Sequence, residues 1–170
     1  MSIIDTSQWG EFLIGELFEV AKGSRLTKAA MREGEIRYVG ASQFNNGITG
    51  TIGNNDHLHP GNVLTVCYNG PVGTTFYQDE VFWASDDVNV LYPKFDMTAR
   101  TGMFIVPIIE RLGGAYAYVD KWSLEVMKGS ILRLPITPAG DPDWDAMEQT
   151  MREVTDRMTA NLDALAGLAM

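Results

Sequence analysis

Apolar positions recur along this chain with two different spacings, and the change from one to the other divides it. Between Ile36 and Leu91 they come in short runs rich in Val, Thr, Tyr and Phe: Ile36 to Val39, Gly50 to Ile52, Asn62 to Tyr68, Thr74 to Tyr77, Val81 to Trp83 and Val88 to Leu91. Turn residues such as Asn45-Asn46-Gly47 and Asn69-Gly70-Pro71 separate them, which predicts strands joined by tight connections and hence a curved, mostly antiparallel sheet. Upstream, Trp9 to Val20 mixes helical with extended spacing and reads as a turn leading into a strand that ends near Val20. Lys22-Gly23-Ser24 breaks that pattern, and Leu26 to Glu33 is expected to form a short helix stopped by Gly34. Downstream, Thr98 to Leu112 reads as a helix that Pro107 should kink or split, Tyr116 to Trp122 as a loop, and Ser130 to Leu134 as a strand.

The tail has the clearest period. Met147, Met151, Val154, Met158, Leu162, Leu165 and Ala169 alternate steps of three and four residues, as one face of a helix requires. Asp141 can cap that helix with Pro142 in its first position, and Asp143 and Asp145 suit the positive end of its dipole. A helix from Pro142 to Leu168 would be about 40 Å long, against a radius of gyration of about 14 Å for the preceding residues. Two readings stay open: the helix packs wholly on its own domain, or it extends past it and offers its stripe to a second helix or another protein. The expected class is α+β, a curved sheet with short helices over 1–138 followed by a long amphipathic helix over 139–170.

Composition narrows the function classes. With 170 residues, 45% of them hydrophobic, the chain can bury one sizeable core and an appendage. No run approaches a membrane span and the first residues lack signal-peptide features, so the cytoplasm is the expected compartment. The net charge of −9 argues against casual nucleic-acid binding. Its distribution softens this: Asp141, Asp143, Asp145, Glu148, Glu153, Asp156 and Asp163 face only Arg152 and Arg157 in the tail, whereas Lys22, Arg25, Lys28, Arg32 and Arg37 outnumber Glu33 and Glu35 nearer the start. Cys67 alone cannot support a disulfide framework, and His57 and His59 lack the further ligands that zinc needs, so neither metal nor cofactor is expected. No phosphate-binding loop, dinucleotide fingerprint or nucleophile elbow occurs.

Several stretches taken together carry a resemblance. They are Gly34-Glu35-Ile36-Arg37-Tyr38-Val39 leading to Ser42-Gln43-Phe44-Asn45-Asn46-Gly47-Ile48, then Gly61 to Val66, Asn69-Gly70-Pro71-Val72-Gly73-Thr74-Thr75-Phe76-Tyr77, and Ala84-Ser85-Asp86-Asp87-Val88-Asn89-Val90-Leu91. Lys121-Trp122, Ile131 to Pro135 and Asp141-Pro142-Asp143-Trp144 complete it. In their order and spacing the chain resembles the specificity subunits of type I restriction-modification systems and the related chains of type IIB systems. The resemblance implies a target-recognition domain followed by a spacer helix. Such subunits usually carry two of each, so this chain looks like a half subunit that pairs with itself through its tail, or like a fragment. The implied partners are double-stranded DNA, a separate adenine methyltransferase with or without a restriction subunit, and a second copy held through Met147, Met151, Val154, Met158, Leu162 and Leu165.

Base reading needs donors and acceptors on a rigid scaffold, Arg and Lys suiting guanine and Asn and Gln suiting adenine. Lys22, Ser24, Arg25 and Lys28 around a glycine loop are candidates, against the plain reading of a solvated surface. Gln43, Asn45 and Asn46 precede Gly47, where turn chemistry is the alternative and for Asn46 the favoured one. Tyr68 and Asn69 precede Gly70, although Tyr68 could equally finish a core strand. Tyr116, Tyr118 and Lys121 follow Gly113-Gly114, with core packing as the rival for the tyrosines. Two other function classes remain: an interaction module, such as an acidic DNA mimic acting on a restriction complex, and a small enzyme, which the missing catalytic constellation disfavours.

Overall fold

A computed structural model describes residues 6–116 and 122–168. Its centre is a four-stranded antiparallel sheet in the order β2 (Phe18–Lys22), β8 (Val88–Pro93), β5 (Val63–Cys67), β6 (Thr75–Gln78). A second sheet holds β4 (Ile48–Ile52), β3 (Ile36–Val39) and β7 (Phe82–Ala84), with β3 and β7 parallel. The third is the antiparallel pair of β1 (Gly10–Leu13) and β9 (Ile131–Leu134). Four α-helices complete the described residues: α1 (Ile14–Leu17), α2 (Ala99–Gly113), α3 (Leu124–Lys128) and α4 (Trp144–Leu168). The class is thus α+β and mostly antiparallel, with the strands divided among three small sheets instead of one continuous one.

β5 explains the division. Its Val-Leu-Thr-Val-Cys run does not alternate because both faces are covered. Leu64 and Val66 enter the main core with Phe18, Ile105 and Ile109, while Val63 and Cys67 enter a smaller core with Val39, Phe82 and Ala84. The second sheet therefore packs on one face of the first, and α2 covers the other.

Several local expectations change. Trp9 to Val20 contains a strand, one helical turn and the start of a second strand that runs on to Lys22. Leu26 to Glu33 yields only a 3-10 turn at Lys28–Ala30, because Thr27 and Met31 on either side are extended. Pro107 does not split α2; it and Met103, the residue whose carbonyl loses its bond, are both exposed, so water can satisfy that oxygen. The short α3, capped by the Ser123 side chain, was not foreseen. The tail helix starts later than expected: Asp143, not Asp141, caps it, its carboxylate accepting from the Ala146 N–H at 2.9 Å.

α4 is tied to the body only at its base. Trp144 stacks on Phe95 with centroids 3.8 Å apart, and Met147 is fully buried. The Glu148 carboxylate accepts from the Thr98 hydroxyl at 2.5 Å and from Arg100 at 3.0 Å, joining α4 to the start of α2. Met151 is half-buried, and every residue from Arg152 to Gly167 is exposed. That segment spans about 24 Å at 1.5 Å per residue. Its stripe of Val154, Met158, Leu162 and Leu165 is 37%, 60%, 65% and 63% exposed, so the helix extends past its own body. No helix among the described residues is long and apolar enough to cross a membrane.

Candidate functional site

Strand direction decides which loops meet. β2 and β5 both pair antiparallel with β8 and therefore run the same way, while β3 and β7 run parallel. The segments that follow these four strands leave at one edge, where backbone bonds stitch them together. Ser24 N–H donates to Ala84 O at 2.8 Å, Ser85 N–H to Val39 O at 2.8 Å, and Tyr68 N–H to Asp87 O at 3.1 Å. Gly23 permits this closeness, since a Cβ there would stand 2.1 Å from the Ser85 carbonyl oxygen.

Asp86 and Asp87 lie at the centre of this edge. The Tyr68 hydroxyl donates to the Asp86 carbonyl at 2.5 Å, and the Asn69 amide donates to the Asp87 carboxylate at 2.7 Å. Arg25 Nη1 lies 3.7 Å from the Asp86 carboxylate, with 78% of the Arg25 side chain exposed. Lys22 Nζ stands 5.2 Å from the Tyr68 ring centroid. Its ammonium is held above its ordinary pKa first by Tyr68 and then by the two aspartates, so it stays charged at neutral pH. Tyr38, behind them, is pushed up by burial and then by the same carboxylates. Lys22, Tyr68, Asn89, Ser123 and Leu124 line a pocket of about 190 Å³ beside the cluster.

Lys22, Arg25, Tyr68 and Asn69, drawn from two distant stretches of sequence, are thus brought together. Ser24 joins them through its backbone, its carbonyl accepting from the Trp83 indole at 2.9 Å. The loop after β3 borders the same edge, because the Ser42 backbone faces the Cys67 thiol and a Cβ on Gly70 would touch that of Ala41 at 3.4 Å. Gln43 is exposed there. Asn45 donates to the Ile48 carbonyl at 3.1 Å with φ at 51°. Asn46 serves the turn: at φ 54° it donates to Tyr77 O and Gln78 Oε1 at 3.1 and 3.2 Å.

Other candidates sit elsewhere. Lys28 lies on a turn whose Ala30 carbonyl accepts from Asn54, just past the end of β4 at the opposite edge. Tyr116 is half-buried and stacks on Trp122 at 5.4 Å, the core reading of that residue. Tyr118, Lys121 and Ala169 lie outside the described residues. Along α4, Met147 belongs to the main core, Met151 packs against it, and the other stripe residues face solvent.

Aspartates were passed over in the sequence because base and phosphate contacts drew attention to donors. Asp86-Asp87 falls between two strands expected from the sequence, and only the ordered contacts reveal it as the hub. Phe44, at 78% the most exposed large apolar side chain among the described residues, directly precedes the Asn45-Asn46-Gly47 turn and carried no signal of its own. The histidines have structural roles: His59 Nδ1 is 2.5 Å from the Tyr92 hydroxyl, its ring stacked on Phe82, and His57 meets the Trp83 ring edge-on. Burial, the first cause, lowers the His59 pKa below its ordinary value. Among the described residues no group of three or more His, Cys, Asp or Glu side chains could hold a metal ion. A larger groove of about 610 Å³ between Trp9, Pro107, Arg111 and Arg133 contains none of the candidate residues.

Residues 6–164 match the family model described as the type I restriction modification DNA specificity domain. The chain belongs to that family. Within this specificity-domain family, a curated relative is the "Type II restriction enzyme BgcI specificity subunit S.BcgI" of Heyndrickxia coagulans, 36% identical over 151 residues, covering 88% of this chain and 44% of the relative. The chain therefore spans less than half the length of that relative. Two solved structures share the fold: the S subunit of a type I restriction-modification system from M. genitalium, at TM-score 0.63 and 16% identity over 95% of this chain and 44% of that one, and the HsdS subunit from Thermoanaerobacter tengcongensis, at 0.65 and 10% over 96% and 41%.

Proposed function

We propose that the chain is a half-length specificity subunit that recognises a DNA sequence for a separate adenine methyltransferase, alone or with a restriction subunit. The observation that carries this reading is the convergence of Lys22, Arg25 and Asn69 on one loop edge, bordered by the loop that exposes Gln43, in a chain matched along 6–164 by a DNA specificity domain. Residues 1–138 would supply recognition and 139–170 the spacer. Arg25 is the favoured guanine or phosphate contact, Gln43 and Asn69 suit adenine edges, and Tyr68 with Asp86 and Asp87 positions Arg25 and Asn69. Catalysis is assigned to the partner. The exposed stripe of α4 would pair with a second copy, and a two-fold pair should recognise a two-part palindromic site.

The acidic-mimic reading loses support because tail carboxylates have internal tasks: Asp143 caps α4 and Glu148 binds Thr98 and Arg100. Methylation mapping of cells expressing the chain with its methyltransferase tests the proposal directly. A modified motif should appear only with the chain present. Arg25→Ala should weaken specific binding by about 1–3 kcal/mol and blur the motif at one position. Unchanged affinity and an unchanged motif would remove Arg25 from the site.

A further inference from the structure

We infer that Phe44 is an apolar wedge that inserts between neighbouring base pairs of the bound duplex; this rests on the DNA-recognition reading above. An isolated exposed apolar residue usually needs no explanation. Phe44 differs in being held out. It follows Ser42, whose hydroxyl accepts from the Phe44 N–H at 3.1 Å and donates to the Phe44 carbonyl at 3.3 Å. It precedes Asn45 and Asn46, two of the three non-glycine residues with positive φ among those described. Each asparagine locks the backbone through its own amide, and Asn46 is clamped further by Gln78, which donates back to the Asn46 carbonyl at 3.0 Å. These bonds fix the turn and with it the outward position of Phe44.

The surroundings favour a nucleic acid over a protein. A protein interface needs a contiguous apolar centre, but Phe44 stands among Ser42, Gln43, Asn45 and Asn46. Val81 is exposed at the opposite end of the β3–β7 pair, since the adjacent Phe82 aligns with Arg37 whereas Ala84 aligns with Val39 at the Phe44 end. The loop that carries Phe44 meets the edge of the cluster at Ala41, where a Cβ on Gly70 would stand 3.4 Å away, so Asn69 and, beyond it, Lys22 and Arg25 would grip the backbone and base edges beside an inserted ring. Phenylalanine wedges partially unstack a base step and bend the duplex, most easily at pyrimidine–purine steps.

The test uses the full chain with its methyltransferase subunit and duplexes enriched from a randomised pool, with 2-aminopurine scanned through the enriched sequence. Wild type should raise 2-aminopurine fluorescence at one step per half-site. Phe44→Ala should abolish that rise and lower affinity about 10-fold or more, with an unchanged salt slope and melting temperature, whereas Phe44→Trp should keep both signals. A Phe44→Ala chain that binds the enriched duplex as wild type does, with the same fluorescence rise, overturns the wedge and leaves DNA recognition standing. A loss of methyltransferase association in Phe44→Ala, with duplex binding intact, would make Phe44 a protein contact and also overturn it. Failure of the wild-type complex to enrich any sequence would overturn the recognition reading itself.

Discussion

Removing the projecting stripe should dissociate the chain without unfolding it. Full burial of a Val, Leu or Met side chain stabilises by about 1.5–3 kcal/mol. Met158, Leu162 and Leu165 are about two-thirds exposed and Val154 about one-third, so pairing the rods could bury a further 4–6 kcal/mol or so per copy, or roughly 8–12 in a dimer. Association costs about 4–15 kcal/mol; at the low end of that range the surplus is about 4–8 kcal/mol, a dissociation constant between roughly 1 mM and 1 μM. The Leu162→Glu, Leu165→Glu double variant deletes about 1–2 kcal/mol at each of four positions in the dimer, enough to remove the whole surplus. Sedimentation velocity across a concentration series should show wild type self-associating and the variant monomeric. Its melting temperature should equal that of wild type at concentrations too low for pairing, because both leucines are exposed in the single chain. A deletion must begin after Arg152, since Trp144 and Met147 belong to the body. Wild type that remains monomeric at every concentration, or a double variant that sediments like wild type, would refute pairing through this stripe.

Three further outcomes are expected. Asn46→Ala should destabilise by about 2–3 kcal/mol in urea titrations, losing two hydrogen bonds and straining a positive φ, while Asn46→Gly recovers the strain component; a stability unchanged by either substitution would free Asn46 for a contact role. Glu148 is held below its ordinary carboxylate pKa of 4.5 by the Thr98 hydroxyl and then by Arg100 and Arg152, so its contribution is full above that value and disappears as pH falls through the depressed one; Glu148→Gln should flatten the acid limb of a stability profile, and an identical limb would argue against the link. Burial pushes the Cys67 thiol up to about 11, so a thiol reagent should label it only as fast as the chain opens, and rapid labelling of the native chain would contradict that placement.

Much of the architecture was legible because local signals and burial agreed. The runs at Ile36, Val63 and Val88 became strands at the expected places, since Val, Thr and Tyr suit a covered pleated surface. What could not be read was long-range. Nothing in the run Val63–Cys67 reveals that one face meets α2 and the other a second sheet, so one sheet was expected where the described residues build three. The fate of Leu26 to Glu33 was likewise decided from outside: Asn54, more than twenty positions on, binds the Arg32 N–H and the Ala30 carbonyl, and Gly53 N–H donates to Arg32 O. At the site, Lys22, Arg25 and Asn69 could be named from residue type and turn context. Their shared dependence on Asp86 and Asp87 could not, because it arises from the common direction of strands far apart in sequence.

That dependence bears on how an acidic chain could select a DNA sequence. Free cations attract any phosphate, giving affinity without discrimination. Here Arg25 and Asn69 already have acidic partners. A pair as open as Arg25 with Asp86, at 3.7 Å, contributes at most about 1 kcal/mol, whereas a bidentate contact with the right base contributes about 1–3 kcal/mol. On the proposed reading, the exchange is favourable only where a matching base is presented, and a lone phosphate offers little beyond what Asp86 supplies. Asp86→Asn should accordingly raise non-specific duplex binding and steepen its salt dependence more than it raises specific binding. An equal gain on matched and random duplexes would show that the aspartate only lowers affinity and has no part in selection.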